Sequence, residues 1–312
     1  MNAALHTLAT TPLQNPAAPQ PNEPARIVSL KVDARAEPAA APPTPMAAST
    51  TAGSSEPWLR PWALLLFPPL LGLVLFVAGW ALLSQHNPQF PGPLRTWTSA
   101  VELFSDPFYK HGPNDQGIGL NILSSLKRVG IGFGMAALIG IPLGFMIGRF
   151  KFLNDMTSLI ISLLRPVSPL AWLPIGLLVF KAAEPAAIWV IFISSIWPMI
   201  INTAVGVSRV PQDYMNVARV LNLSEWKIFS RILLPATLPY VLTGVRLSIG
   251  IAWLVIVAAE MLTGGVGLGF WVWDEWNNLN VEHIIVAIFV VGLIGLLLEQ
   301  TLLLLARRFQ YD

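Results

Sequence analysis

The stretch HIIVAIFVVGLIGLLLEQTLLLLA, His283 to Ala306, decides the fold class. It contains one carboxylate, Glu299, and no Lys or Arg. As a helix rising about 1.5 Å per residue it is long enough to cross a hydrocarbon core of about 30 Å. A membrane β-strand would be about ten residues of alternating polarity, and this run does not alternate. Five more runs share its character: Trp62 to Leu83, Val129 to Ile147, Met156 to Phe180, Ala186 to Val205 and Val241 to Leu262. Six spans are therefore expected. Composition agrees, with 54% apolar and 12% charged residues where soluble domains carry about 25% charged. Mean hydropathy is +0.62. The chain is expected to be an all-α integral membrane protein.

Several chemistries are excluded at the outset. The absence of cysteine removes disulfides, thiolate nucleophiles and thiolate metal sites. His6, His86, His111 and His283 are scattered without metal-ligand spacing, so no metal and no cofactor are expected. A formal charge of +2, with no basic domain, gives nucleic acid nothing to bind. A membrane-embedded enzyme would need His, Cys or paired carboxylates gathered at membrane depth, and none are apparent.

The organisation reads in three parts. Residues 1–57 are rich in Pro, Ala, Ser and Thr, a composition that buries too little apolar surface to fold and predicts a disordered tail. Residues 58–119 hold the first span, with Trp58, Trp62 and Trp80 near its ends as interfacial indoles, and then a polar loop. Residues 120–312 hold the remaining spans. In the third, Pro166, Pro169 and Pro174 predict a kinked or unwound helix, and irregular backbone at membrane depth lines a cavity or packs against protein.

Basic residues set the orientation. Arg149 and Lys151 follow span two, Arg209, Arg219, Lys227 and Arg231 follow span four, and Arg307 and Arg308 follow span six. Short loops rich in Lys and Arg stay in the cytoplasm, so both termini are expected there, in a multi-pass inner-membrane protein. Lys127 and Arg128 break the pattern: they either snorkel to headgroups or mark a misplaced span boundary.

A long loop, residues 207–239, separates spans four and five. Pro211 suits a helix start, after which Tyr214, Val217 and Leu221 share one face while Asn216 and Arg219 point elsewhere. Asn222 separates this helix from a second one, which Ser224 can cap and Glu225 favours through the helix dipole. Trp226, Phe229 and Leu233 form its apolar stripe, with Pro235 and Pro239 expected to end it. Physics alone allows such a pair to lie flat on the membrane surface.

The run Asn216-Val217-Ala218-Arg219-Val220-Leu221-Asn222, followed by Ile232-Leu233-Leu234-Pro235, resembles the EAA loop of permease subunits of binding-protein-dependent ABC importers. Asn216 stands where that pattern has Glu, Val217 where it has Ala, and Asn222 where it has Gly. The last exchange is mild, because Asn tolerates a left-handed turn. The resemblance extends from about Asp106 to the C-terminus. Leu164 to Gly176, Ala183 to Ile188, Val210 to Tyr214 and Ala259 to Gly265 are similar to the nitrate permeases and their bicarbonate relatives.

The resemblance implies a type I importer core like that of the methionine permease. It also implies separate cytoplasmic ATPase subunits, an extracytoplasmic solute-binding protein and a second permease copy in the membrane lipid. It places Asp213, Tyr214, Asn216, Ala218, Arg219, Asn222, Ser224 and Pro235 in a coupling loop that docks on the ATPase. Candidates for the translocation path are Arg165, Ser168, Ser194, Ser195 and Asn202. Arg165 is either a transient counter-charge for an anion or a structural cation paired with a carboxylate or with carbonyls freed by Pro169. The hydroxyls and Asn202 offer weak hydrogen bonds along a path, or packing between helices. Glu260, Arg246 and Glu299 read as structural.

The expected function is ATP-driven import of a small anion, nitrate first, with bicarbonate, cyanate or a sulfonate such as taurine as alternative cargoes. No P-loop is present, so the chain is expected not to be an enzyme. An ion-coupled secondary carrier would favour duplicated halves with matching helix breaks, and no duplication is visible.

Overall fold

A computed structural model describes residues 61–87 and 89–307. The expected tail, residues 1–57, lies outside the described residues, as do Trp58 and Arg308. Among the described residues every named element is helical: α1 (Pro61–His86), α2 (Pro93–Leu103), α3 (Ile118–Arg149), α4 (Lys151–Leu164), α5 (Leu173–Phe180), α6 (Ala183–Ser208), α7 (Gln212–Val220), α8 (Glu225–Ile228), α9 (Leu234–Thr263), α10 (Leu268–Asn277) and α11 (Val281–Arg307). A 3-10 turn, Pro169–Trp172, precedes α5, and a π turn, Phe229–Leu233, joins α8 to α9.

Five of these units are long and apolar enough to cross a membrane: α1 from Phe67, α3, α6, the run from α8 through α9, and α11. The sixth is the span expected to be kinked or unwound over Met156 to Phe180. It is a broken pair, α4 against the Pro169–Phe180 segment, bent by 97°. The break follows from proline chemistry. A residue preceding proline is biased away from the helical region, and Ser168, before Pro169, is extended at ψ 129°. Only Arg165 to Ser168 separate α4 from the 3-10 turn.

Two boundary expectations are corrected. Span two begins at Ile118, eleven residues before Val129, with Gly117 as its N-cap. Lys127 and Arg128 therefore sit within α3, where Arg128 pairs with Glu260 and Lys127 stands 3.8 Å from Glu184. Pro235 and Pro239 do not end the second loop helix. Pro235 falls in the first turn of α9, where a missing N–H costs no intrahelical bond, and Pro239 lies inside it. The π turn just ahead of Pro235 carries the backbone continuously from α8 into α9.

The core is the stack of α3, α6 and α9, with Ile118, Val129, Ile191, Ala252 and Ile256 buried in its main cluster. Lipid tails are as apolar as leucine, so helices associate in a membrane through close packing that small residues permit. Gly140, Gly144 and Gly148 recur every four residues along the α3 face that meets α6. A Cβ on Gly144 would stand 2.7 Å from Thr203 Cβ and 2.8 Å from the Ile200 carbonyl oxygen. On the opposite side of α6, a Cβ on Gly244 of α9 would come 2.9 Å from the Pro198 carbonyl. α6 is thus held at backbone distance by both neighbours. α2 lies across α1 and α11, where Trp80 Nε1 donates to the Pro91 carbonyl at 3.0 Å.

Gly144→Ala is expected to lower stability by about 1–3 kcal/mol, the usual cost of forcing a methyl into a filled interface. Melting of the detergent-solubilised protein checks this, and an unchanged midpoint would mean that α3 and α6 separate freely.

Candidate translocation path and coupling surface

In α7, Met215 and Ala218 are buried, packing with Val210, Ile228 and Leu233. The apolar residues expected to share a face, Tyr214, Val217 and Leu221, are exposed, as is Val220. The stripe is real but faces away from the chain. The second stripe is split, with Leu233 buried and Trp226 73% exposed. Asp213, Asn216, Arg219 and Ser224 are exposed around this surface, and Pro235 is exposed at the start of α9.

The turn between α7 and α8 depends on Asn222, which adopts the left-handed conformation at φ 49°. Around it the N–H groups of Leu221, Asn222 and Leu223 donate to the carbonyls of Val217, Arg219 and Ala218, each at 3.0 Å. Ser224 occupies the N-cap of α8 but makes no side-chain cap bond. Arg149, at the end of α3, reaches Glu225 at 3.5 Å, so this end of the bundle and the loop are in contact.

At the opposite end of α9, Glu260 is almost fully buried and satisfied by three donors. Arg128 Nη1 donates to Oε1 at 2.7 Å, Ser125 Oγ lies 2.8 Å from Oε2, and the Gly269 N–H donates to Oε2 at 3.0 Å. Gly267 fits against the carboxylate where a Cβ would collide with it, at φ 156°. The same groups fasten the Gly264–Leu268 turn, since Asn121 Oδ1 accepts from the Gly267 N–H and Ser125 Oγ from the Leu268 N–H, each at 2.9 Å. Arg128 also donates to the Val266 carbonyl at 2.6 Å. Glu260 is thus the partner of a cation, and the glycine run forms a turn around it. Nearer the middle of α9, on a half-exposed face, Arg246 Nε donates to Glu299 Oε1 at 3.0 Å.

Two cavities follow one another along α6. The first, about 390 Å³, is lined by Arg165, Ser168, Ser194, Asn202, Trp172 and Trp197 among others. The second, about 570 Å³, lies towards the α7 end and is lined by Arg149, Lys151, Arg165 and Ser208 among others. Arg165 and Ile201 belong to both walls. Arg165 is exposed, and among the described residues no carboxylate lies within ion-pair distance of it.

Four of the five expected path residues meet at the first cavity, and Ser195 does not. It is fully buried, and its carbonyl accepts from Ser248 Oγ at 2.7 Å, which binds α6 to α9. Ser194 Oγ donates to the Ile191 carbonyl at 2.9 Å, so it can offer an incoming anion no proton. Asn202 Nδ2 donates one N–H to the Pro198 carbonyl at 2.8 Å and keeps its second.

Residues 140–311 match the family described as "Binding-protein-dependent transport system inner membrane component". The chain belongs to this family. It is similar to the nitrate import permease protein NrtB of Synechocystis sp. (strain ATCC 27184 / PCC 6803 / Kazusa), 47% identical over 233 residues, covering 74% of this chain and 85% of the relative. NrtB of Leptolyngbya laminosa is 48% identical over 245 residues, covering 78% and 88%. The bicarbonate transport system permease protein CmpB of the same Synechocystis strain is 44% identical over 239 residues, covering 75% and 85%. Among solved structures, the inward-facing MetNI methionine ABC transporter superposes with a TM-score of 0.52 at 13% identity, covering 61% of this chain and 95% of that one. That likeness carries the fold, a MetI-like type I core. As a family member the chain is a transport component of the inner membrane and not an enzyme, and membership implies a partner ATPase and a binding protein.

Sequence reasoning missed how this permease gathers its polar side chains. Asn121, Ser125 and Arg128, spaced i, i+4, i+7, form one polar stripe on a helix and could have been read as such. Arg149 and Lys151 were legible only as loop charges, because nothing local says that they share a cavity with Arg165.

Glu260→Ala leaves Arg128, 11% exposed, without its counter-charge, and removing one member of a buried pair typically costs about 3–5 kcal/mol. A clear fall in the detergent melting temperature is expected, and a shift no larger than that of a surface substitution would show the pair to be dispensable.

Proposed function

We propose that this protein is the permease subunit of an ATP-driven importer that carries nitrate across the inner membrane. The observation that carries this reading is its similarity to three NrtB permeases, 44–48% identical over 74–82% of the chain. Bicarbonate is the second reading, favoured by CmpB relatives at 44% identity.

Chemistry supports a small anion of either kind. The first cavity offers one unpaired guanidinium, at Arg165, and a free amide N–H at Asn202. Guanidinium N–H groups form a planar fork that suits oxyanions. Arg165 is exposed, so solvent screening keeps such an ion pair modest, enough to offset part of an anion's dehydration without trapping it. Conduction needs such moderate binding. Selectivity then rests mainly with the binding protein.

Arg149, Arg209, Arg219, Lys227 and Arg231 gather at the α7 end, which makes that end cytoplasmic by the positive-inside rule. The exposed Tyr214, Val217, Val220 and Leu221 stripe supports docking on the ATPase, with Asp213, Asn216, Arg219 and Ser224 as its polar rim. ATP binding draws two such loops together and rocks the spans from inward-facing to outward-facing. A second permease copy closes the open side of the cavities, and α1, exposed from Phe67 to Val77, faces lipid.

Uptake of labelled nitrate by cells with and without the chain, challenged with excess bicarbonate, cyanate or taurine, tests the cargo. Loss on deletion without inhibition by those anions is expected, with Arg165→Gln lowering uptake about tenfold, or about 1.4 kcal/mol. Nitrate uptake that survives deletion would move the cargo to the competitor whose uptake does not. Separately, Asn222→Val puts a β-branched residue in a left-handed turn, at a cost of at least about 1–2 kcal/mol. It is expected to reduce co-purifying ATPase and uptake together, and normal values of both would remove the coupling role.

A further inference from the structure

The cavity between the ends of α3 and α6 and the length of α4 has an unusual wall. Arg149, Lys151 and Arg165 all line it, with Asn154, Ser162 and Ser208 among its polar groups, and no carboxylate does. Three carboxylates lie near and none neutralises it; Asp213, exposed beside Gln212, is not part of the wall. Glu225 meets Arg149 at 3.5 Å, but its side chain is 77% exposed, where solvent screening leaves an ion pair little strength. Asp155 sits beside Asn154 in α4 and is not part of the wall. Arg149 Nε is buried without a hydrogen-bond partner, so its guanidinium is less fully bonded within the chain than that of a closed ion pair.

The position of the wall is as informative as its charge. α4 runs from Lys151 to Leu164, about 20 Å at 1.5 Å per residue, so the cations span from the cytoplasmic edge to the helix break. The upper cavity ends where this one begins, at Arg165 and Ile201. Like charges converging on a low-dielectric cleft focus potential and concentrate counter-ions there.

We propose that this cavity is a second anion site, a cytoplasmic basin that receives a small oxyanion from Arg165 and holds it between Arg149 and Lys151. The inference rests on the importer reading for which end is cytoplasmic, and it adds a site to the single path cation considered above. Three positive charges on one wall let an anion leave Arg165 for a place no less favourable. The loose, polar lining then releases it to water.

The absence of cysteine from the chain makes a direct test available. Ser162→Cys, and independently Ser208→Cys, place one thiol on the wall of the full chain, assembled with its ATPase in inside-out membrane vesicles. The labelling rates of the permease by a sulfonatoethyl and a trimethylammonioethyl methanethiosulfonate are measured by mass. Their ratio is divided by the ratio for a small free thiol. An excess of about tenfold favouring the anionic reagent is expected, since cleft potentials reach several kT. It should fall severalfold in Lys151→Gln and at high salt, and nitrate on the cytoplasmic face should slow the anionic reagent.

A normalised ratio near one at both positions, or no labelling by either reagent, overturns the basin. Charge preference with protection by bicarbonate and not nitrate supports the basin and overturns nitrate as cargo. No preference, combined with nitrate uptake that still depends on the chain, overturns the basin and leaves the proposed function standing.

Discussion

The close approach of α3 to α6 is the constraint on which the rest of the structure depends. In lipid, apolar surface gains little by leaving one apolar neighbour for another, so a bundle is held by shape. Gly140, Gly144 and Gly148 bring the backbone of α3 against Ile200, Thr203 and Ala204, and Gly244 does the same for α9 on the other side. α6 is fixed between them, and its remaining face looks onto the broken pair of α4 and α5. Both cavities lie on that face. Had α6 been free to rotate, Ser194, Asn202 and Ser208 would not all face these cavities.

The charged groups divide by how they are satisfied. Arg128 with Glu260 and Arg246 with Glu299 are mutual pairs that join helices. Arg128 and Glu260 also hold the turn after α9, so a single buried pair fastens α3, α9 and the start of α10 together. Arg165, Lys151 and the buried N–H of Arg149 lack such closure. Side chains that structure has already neutralised have little to offer a passing anion, whereas uncompensated cations on a cavity wall do. The distinction separates structural ion pairs from cations left open on a cavity wall, without reference to any substrate.

The loop between α6 and α9 inverts the usual logic of amphipathic helices. Its exposed face is the more apolar one, Tyr214, Val217, Val220 and Leu221, while small and flexible Ala218 and Met215 face the bundle. A helix that turns its larger apolar residues outward is shaped for a partner. Asn222 supplies the left-handed turn that sets α7 against α8 and, through Glu225, against the end of α3. Phe145 of α3 also packs edge-on against Phe229, so the loop is seated on the end of α3 by apolar contact.

The sequence by itself determined the helical membrane class, the approximate spans, the polarity of charge across them, the turn at Asn222 and the family's loop motif. Each of these is local: length of apolar run, spacing of cations, and the conformational tolerance of one residue. It placed the proline-rich interruption as a kinked or unwound segment, but not the 97° angle between the two pieces, because proline chemistry predicts a break and not its geometry. Tertiary structure alone decided which polar residues meet. Arg128 finds Glu260 across 132 positions, Ser195 turns to α9 while Ser194 faces the cavity, and Arg149, Lys151 and Arg165 converge on one wall. Such meetings depend on how neighbouring helices are rotated and how closely they pack, and those are set by glycines of one helix seated against side chains and backbone of another, which no single stretch of sequence contains.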